Sequence, residues 1–230
     1  MVARTGARIQ SGQAIRVAGG PEAAYKIPSA EDFPVGDDRE RDTGMDELRE
    51  RLEKYVGKPM GPPSVAPDPV NVPMIRHWVD ALDDHNPVYL DEELAAATRF
   101  GAIVAPPAML QTWSMPRPKI QGIAERGGAP GEMRFDNPIG VLDEAGYVGT
   151  LATNSELEFV RYLRLGDRLH LSSEVESISD RKTTALGQGY FLTWVSTYRT
   201  DDGEVVGRQL FRILKFDPST IDLGRLKGTR

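Results

Sequence analysis

An α+β fold is predicted for this chain. Three observations predict it. Apolar residues recur at helical spacing through the first half, the spacing changes to alternation after about residue 150, and Asp201-Asp202-Gly203 joins two of the alternating runs as a hairpin turn. Helices followed by long antiparallel strands, with no internal repeat and no clear linker, describe one main domain. It is placed at residues 44–218, between an N-terminal tail (1–43) and a C-terminal tail (219–230).

Each element follows from local chemistry. Residues 1–43 mix Gly, Pro, Arg, Asp and Ala without sustained periodicity and read as a flexible tail. Met45, Leu48, Leu52, Tyr55 and Val56 form an apolar stripe that predicts a helix, stopped by Gly57 with Pro59 beyond it. Five prolines between residues 59 and 70 predict an extended connector, because each fixes φ and removes a donor. Asn71 is a plausible N-cap with Pro73 in the first turn, and the helix runs to about Asp83 with Met74, Ile75, Trp78 and Leu82 facing inward. Residues 91–98 predict a short helix. Residues 107–123 are apolar and Met-rich and read as partly helical, interrupted by Pro116 and Pro118; residues 127–140 read as a loop. Thr153, Ser155, Leu157 and Phe159 alternate with polar residues, as do Leu169, Leu171, Ser173 and Val175. The stretch 187–200 has large apolar residues at both parities, so it is expected to be buried on both faces, and the hairpin returns through residues 204–216.

Composition narrows the function classes. The chain has 230 residues, 40% hydrophobic content and a formal net charge of −6. That charge argues against a general nucleic-acid surface, while a local basic patch for a phosphate-bearing ligand stays open. There is no cysteine, which excludes disulfides, thiolate metal sites and a cysteine nucleophile. Three scattered histidines, His77, His85 and His170, make no metal-ligand pattern. No apolar run approaches the ~20 residues needed to span a bilayer, and residues 1–14 lack the apolar block of a secretory signal. A cytoplasmic location is expected.

The run Asp84-His85-Asn86-Pro87-Val88-Tyr89 is the most informative stretch. An Asx residue before proline commonly closes a turn by accepting from backbone amides, and that structural reading applies to both Asp84 and Asn86. His85 reads as a turn or surface histidine, and His77 and His170 as structural or exposed. Arg161, Arg164 and Arg168 could meet a ligand's phosphates, with ordinary surface placement as the competing reading.

The same stretch also resembles a family signature. In MaoC-like (R)-specific enoyl-CoA hydratases and dehydratases the pattern is Asp-x-Asn-Pro-aliphatic-His. Here Asp84, Asn86, Pro87 and Val88 match it, and Tyr89 stands in the His position. Phe100-Gly101-Ala102-Ile103-Val104-Ala105-Pro106-Pro107, Leu165-Gly166-Asp167-Arg168-Leu169 and the closing hairpin are similar to further family segments. Ala105-Pro106-Pro107 resembles the N-terminal, non-catalytic class of MaoC domain. With Gly146-Tyr147-Val148-Gly149 and Ala152-Thr153-Asn154, the chain resembles the larger subunits of the heteromeric enoyl-CoA hydratases of actinobacterial steroid side-chain breakdown.

The resemblance implies a hot-dog fold, a long antiparallel sheet wrapped around a central helix near residues 107–123. It implies an acyl-CoA substrate, no cofactor or metal, and a catalytic MaoC-like small subunit as partner. Asp84, Asn86 and Tyr89 would be a remnant motif, and Ala105, Pro106, Pro107, Met109, Trp113, Thr153 and Asn154 substrate-binding positions. For Met109 and Trp113 core packing is the alternative. Hydration needs a base for water, and a phenol titrating near pH ~10 is a poor one. The expected function is therefore an accessory subunit of an enoyl-CoA hydratase. Two alternatives stay open: a self-sufficient hot-dog thioesterase or homodimeric dehydratase using Asp84, and a non-enzymatic acyl-CoA-binding or assembly protein.

Overall fold

The computed structural model describes residues 43–116, 120–122 and 136–221. Most of the two expected tails, and most of the segment after Pro116, lie outside the described residues.

Five α-helices and six strands make up the described fold. Helix α1 (Thr43–Glu53) precedes the two-residue strand β1 (Ser64–Val65). Helix α2 (Val72–Leu82) starts as the sequence predicts: the Asn71 side chain accepts from the Met74 N–H at 3.0 Å. Its inner face is corrected, however. Ile75 and Val79 are buried, while Leu82, expected inside, is 59% exposed. The helix ends beside it, where Asp83 turns left-handed at φ 55°, so Leu82 falls past the last contact with the core.

Helix α3 (Glu92–Ala96) is capped by Asp91, whose side chain accepts from Leu94 N–H. The expected central helix is much shorter in its described part: a 3-10 turn (Pro107–Met109) runs into α4 (Leu110–Ser114), which stops before Pro116. Helix α5 (Pro138–Glu144) corrects the loop expected over residues 127–140; Asn137 accepts from the Ile139 and Gly140 amides and Pro138 opens the first turn.

The strands form one antiparallel sheet in the order β1-β3-β5-β6-β2, with β2 Gly149–Phe159, β3 His170–Ile178, β5 Gly187–Arg199 and β6 Val205–Phe216. The three-residue β4 (Lys182–Thr184) pairs with the start of β5. Strand β5 is central and buried on both faces, as its sequence predicts. Gly203 takes φ 85° in the β5–β6 hairpin, a conformation a side chain resists.

Helix α4 covers the sheet face that carries Trp194, Ser196 and Tyr198 of β5 and Gly207, Gln209 and Phe211 of β6. Gln209 meets the Gln111 amide there, and Met109, Leu110 and Trp113 sink into the main core. Helices α1 and α5 pack farther along, around Tyr147 and Tyr190. A sheet wrapped on a helix in this order is the hot-dog arrangement.

Gly207 sets how closely the helix can approach. A Cβ there would lie 2.5 Å from Leu110 Cδ2 and 2.8 Å from the Glu158 carbonyl oxygen. Gly207→Ala is expected to cost about 1–3 kcal/mol through overpacking, read as a lower midpoint in thermal unfolding. An unchanged midpoint would show that α4 and the β2 backbone at Glu158 both give way without penalty.

Candidate functional site

The turn after α2 is held by its own side chains. The Asp84 N–H donates to Val79 O at 2.9 Å, which closes the helix end. Asp84 Oδ1 accepts from the Asn86 N–H at 3.0 Å, and Asn86 Oδ1 accepts from the Val88 N–H at 3.2 Å. These bonds cap the 3-10 turn Pro87–Tyr89. Each of the two remnant polar residues therefore has a side-chain oxygen engaged with backbone. His85 points away: its ring is 83% exposed and 2.8 Å from Asp83 Oδ1.

Tyr89 goes inward and is 7% exposed. Burial pushes its phenol up to about 12. Tyr162 and the Asp84 carboxylate push the same way, and a hydrogen bond with Asn86 pulls against them. At neutral pH the group is a fixed, protonated hydroxyl. It can donate or accept a hydrogen bond but cannot hold a proton taken from water.

Ala105-Pro106-Pro107 sits against the loop that follows β2. Val104 bridges to Arg164, and the Ala105 N–H donates to Leu163 O at 2.9 Å. Ala105 and Pro106 are buried and Pro107 is half-buried. Two consecutive prolines remove two amide donors from the start of the helical segment. Met109 and Trp113 are buried in the same core as Val88 and Tyr89. The indole Nε1–H of Trp113 is buried without an acceptor among the described residues.

Thr153 and Asn154 stand apart from that cluster. Thr153 is bulged out of the β2–β6 ladder and donates to Arg212 O at 3.2 Å. Asn154 lies five residues before Phe159, so about 16 Å along the strand from the Tyr89 end. Its Oδ1 is buried without a donor among the described residues. The structure thus brings Asp84, Asn86, Tyr89, Ala105, Pro106, Pro107, Met109 and Trp113 to one end of the sheet and leaves Thr153 and Asn154 elsewhere.

Two of the three arginines considered for a ligand phosphate are engaged in structure. Arg161 donates to Asp167 Oδ2 at 2.6 Å and to Glu204 Oε2 at 2.8 Å, and Arg168 donates to the Ala66 and Pro67 carbonyls. Sequence reasoning missed a cavity of about 180 Å³ on the α4 side of the sheet, lined by Met60, Pro62, Asn137, Leu171 and others. Its walls come from three separate segments, the 60–64 connector, Asn137 and strand β3, so no local pattern announces it. Among the described residues no group of three His, Asp or Glu side chains could hold a metal ion, and no helix is long and apolar enough to cross a membrane.

Comparison with known proteins is consistent with this geometry. The family model for the FAS1-like dehydratase domain region matches residues 56–209. The chain is 45% identical over 181 residues to a probable enoyl-CoA hydratase alpha subunit of Thermomonospora curvata, covering 75% of this chain and 53% of that protein. It is 38% identical over 181 residues to the 3-oxo-4,17-pregnadiene-20-carboxyl-CoA hydratase alpha subunit of Mycobacterium tuberculosis, covering 77% and 54%. The chain spans about half the length of these curated relatives. Among solved structures, the ChsH1-ChsH2 complex of Mycobacterium tuberculosis superposes with a TM-score of 0.63 at 37% identity, covering 75% of this chain and 93% of that one.

Proposed function

Since the chain belongs to the family of FAS1-like dehydratase domain regions, we propose that it is the accessory hot-dog subunit of a heteromeric enoyl-CoA hydratase. The reaction adds water to a 2-enoyl-CoA and yields a 3-hydroxyacyl-CoA. The observation that carries this reading is Tyr89. The position where the family signature has its base holds a buried phenol that stays protonated at neutral pH.

Hydration needs a base for water, an acid for the α-carbon and donors for the enolate oxygen. At residues 84–89 this chain lacks the imidazole base of the signature, and its one carboxylate there, Asp84, already accepts from the Asn86 amide. A catalytic MaoC-like partner supplies the Asp–His pair. This subunit supplies walls for the acyl group, through Ala105, Pro106, Pro107, Met109 and Trp113. The name of the Mycobacterium tuberculosis relative supports a steroid side-chain thioester as that group.

The partner's seat is the free edge of β2. That strand pairs only with β6 among the described residues, and its eleven residues contain no proline and no lysine, two residues that guard exposed edges. Val148, Leu151 and Val160 lie along it 59%, 40% and 52% exposed. Leu151→Asp with Val160→Asp is expected to reduce co-purification with a co-expressed MaoC-like partner at least about tenfold, with folding unchanged by circular dichroism. Undiminished co-purification would move the interface elsewhere.

Asp84→Asn tests whether this chain does the chemistry. Asparagine keeps an oxygen for the Asn86 amide, so the turn survives. Turnover by the assembled enzyme is expected to stay within about threefold, far less than the 10²–10⁴-fold that loss of a general base costs. Abolished turnover, together with a homodimer in solution, would favour the self-sufficient enzyme.

A further inference from the structure

We propose that a pocket on the sheet face opposite α4 binds an organic phosphate, with Lys182 and Arg212 holding the phosphate. The cavity measures about 250 Å³ and is lined by both cations, by Ser177, Ser179 and Thr193, and by Phe191, with Ile178 at its edge. No carboxylate lines it.

The sheet register puts the pocket on the far face. Gly207, Gln209 and Phe211 face α4, so Arg212, one residue on, faces away, opposite Thr193 on β5 and Asn154 on β2. Lys182 reaches the same cavity from β4, which pairs with the start of β5. The site therefore needs the β4–β5 turn and the β5–β6 ladder together.

Arg212 differs from Arg161, another half-buried cation. Arg161, with a side chain 22% exposed, is met by two carboxylates. Arg212, also half-buried, has its Nε donated to Thr193 Oγ1 at 2.8 Å, which fixes the plane of the guanidinium. Its terminal amino groups meet no acceptor, and neither Arg212 nor Lys182 is in an ion pair among the described residues. Asp180 pairs with Arg49 at 3.2 Å and Glu158 with Arg208 at 3.3 Å. A half-buried cation without a counter-ion is unfavourable, and an oriented guanidinium is the geometry a phosphate takes in bidentate fashion. The hydroxyls of Ser177 and Thr193 are further polar partners, and Phe191 offers an apolar surface for the ligand's flat body. On a chain of net charge −6 this is a local positive site.

The test titrates the full 230-residue chain at low ionic strength, in calorimetry, with adenosine 3′,5′-bisphosphate and separately with inorganic phosphate. The expected result is saturable one-site binding of the bisphosphate, tighter than that of phosphate alone. Loss of one charge-assisted contact in Arg212→Gln or in Lys182→Gln should weaken it at least about tenfold. Arg208→Gln, on the same face but paired with Glu158, should leave it unchanged. Glutamine at 212 keeps a donor for Thr193, and Lys182→Gln carries the test by itself if the other variant melts early. Absence of saturable binding overturns the proposal. So does equal weakening by Arg208→Gln, which would mean diffuse surface charge. Equal affinity for inorganic phosphate would overturn the organic-phosphate assignment.

Discussion

Alone, the chain is expected to hydrate a 2-enoyl-CoA about 10²- to 10⁴-fold more slowly than it does when assembled with the proposed partner, the range that loss of a general base costs. The magnitude follows from the turn after α2. The His position of the family signature is filled by a phenol pushed up to about 12, so less than about one part in 10⁴ is ionised at pH 7. The adjacent carboxylate of Asp84 is only half-buried and already accepts from the Asn86 amide. On the proposed reading, the prolines at 106 and 107 remove donors that an enolate oxygen needs. A control separates shape from chemistry. Tyr89→Phe in the assembled enzyme is expected to leave kcat within about threefold and the pH–rate profile between pH 6 and 9 unchanged, because no group that titrates there is removed. Steady-state hydration monitored by loss of enoyl absorbance measures both. Brisk turnover by the isolated, homogeneous chain would overturn the accessory-subunit reading.

Much of this site was legible before the fold was known, because it depends on one residue type at one position. Asp84, Asn86 and Tyr89 lie within six consecutive residues, and the backbone bonds that engage the first two are local. Caps were legible for the same reason where the surroundings were apolar and periodic, as at Asn71. The equivalent signal at Asn137-Pro138 was missed because it follows a Gly-rich stretch that reads as loop. Features that need the whole sheet were not legible. Arg161, Arg164 and Arg168 cluster in sequence, yet Arg161 and Arg168 are engaged by Asp167, Glu204 and the connector's carbonyls. Lys182 and Arg212 are thirty residues apart and share a cavity only through the ladders of β4, β5 and β6. A three-residue strand such as β4 is too short to show a period.

Lys215 is a further feature hidden from period-two reading, and it carries the second large effect. Its side chain is 2% exposed, and its ammonium donates to Asp143 Oδ1 at 2.5 Å, Thr150 Oγ1 at 2.9 Å and Val148 O at 3.4 Å. Three donors meet three acceptors, from α5, from the turn behind it and from β2. The two ends of the ion pair differ in exposure, since the Asp143 side chain is 37% exposed. Asp143→Ala leaves a buried cation facing two neutral oxygens. Breaking a buried pair in that way costs about 3–5 kcal/mol, and access of water on the Asp143 side puts this one near the lower end, about 3 kcal/mol. Lys215→Met instead fills the same volume with an apolar chain and leaves a carboxylate that water can reach, so its cost is about 1 kcal/mol or less. The expected order in urea unfolding is therefore wild type, then Lys215→Met, then Asp143→Ala, with the double variant recovering much of the loss. The reverse order of the single variants would show that the ammonium contributes net attraction beyond satisfying its own burial. Because the same ammonium ties α5 to the start of β2, Asp143→Ala should also loosen the edge that the partner is proposed to cover. Weaker co-purification at a temperature where the variant is still folded would link this buried charge to assembly, and unaltered capture would confine it to stability.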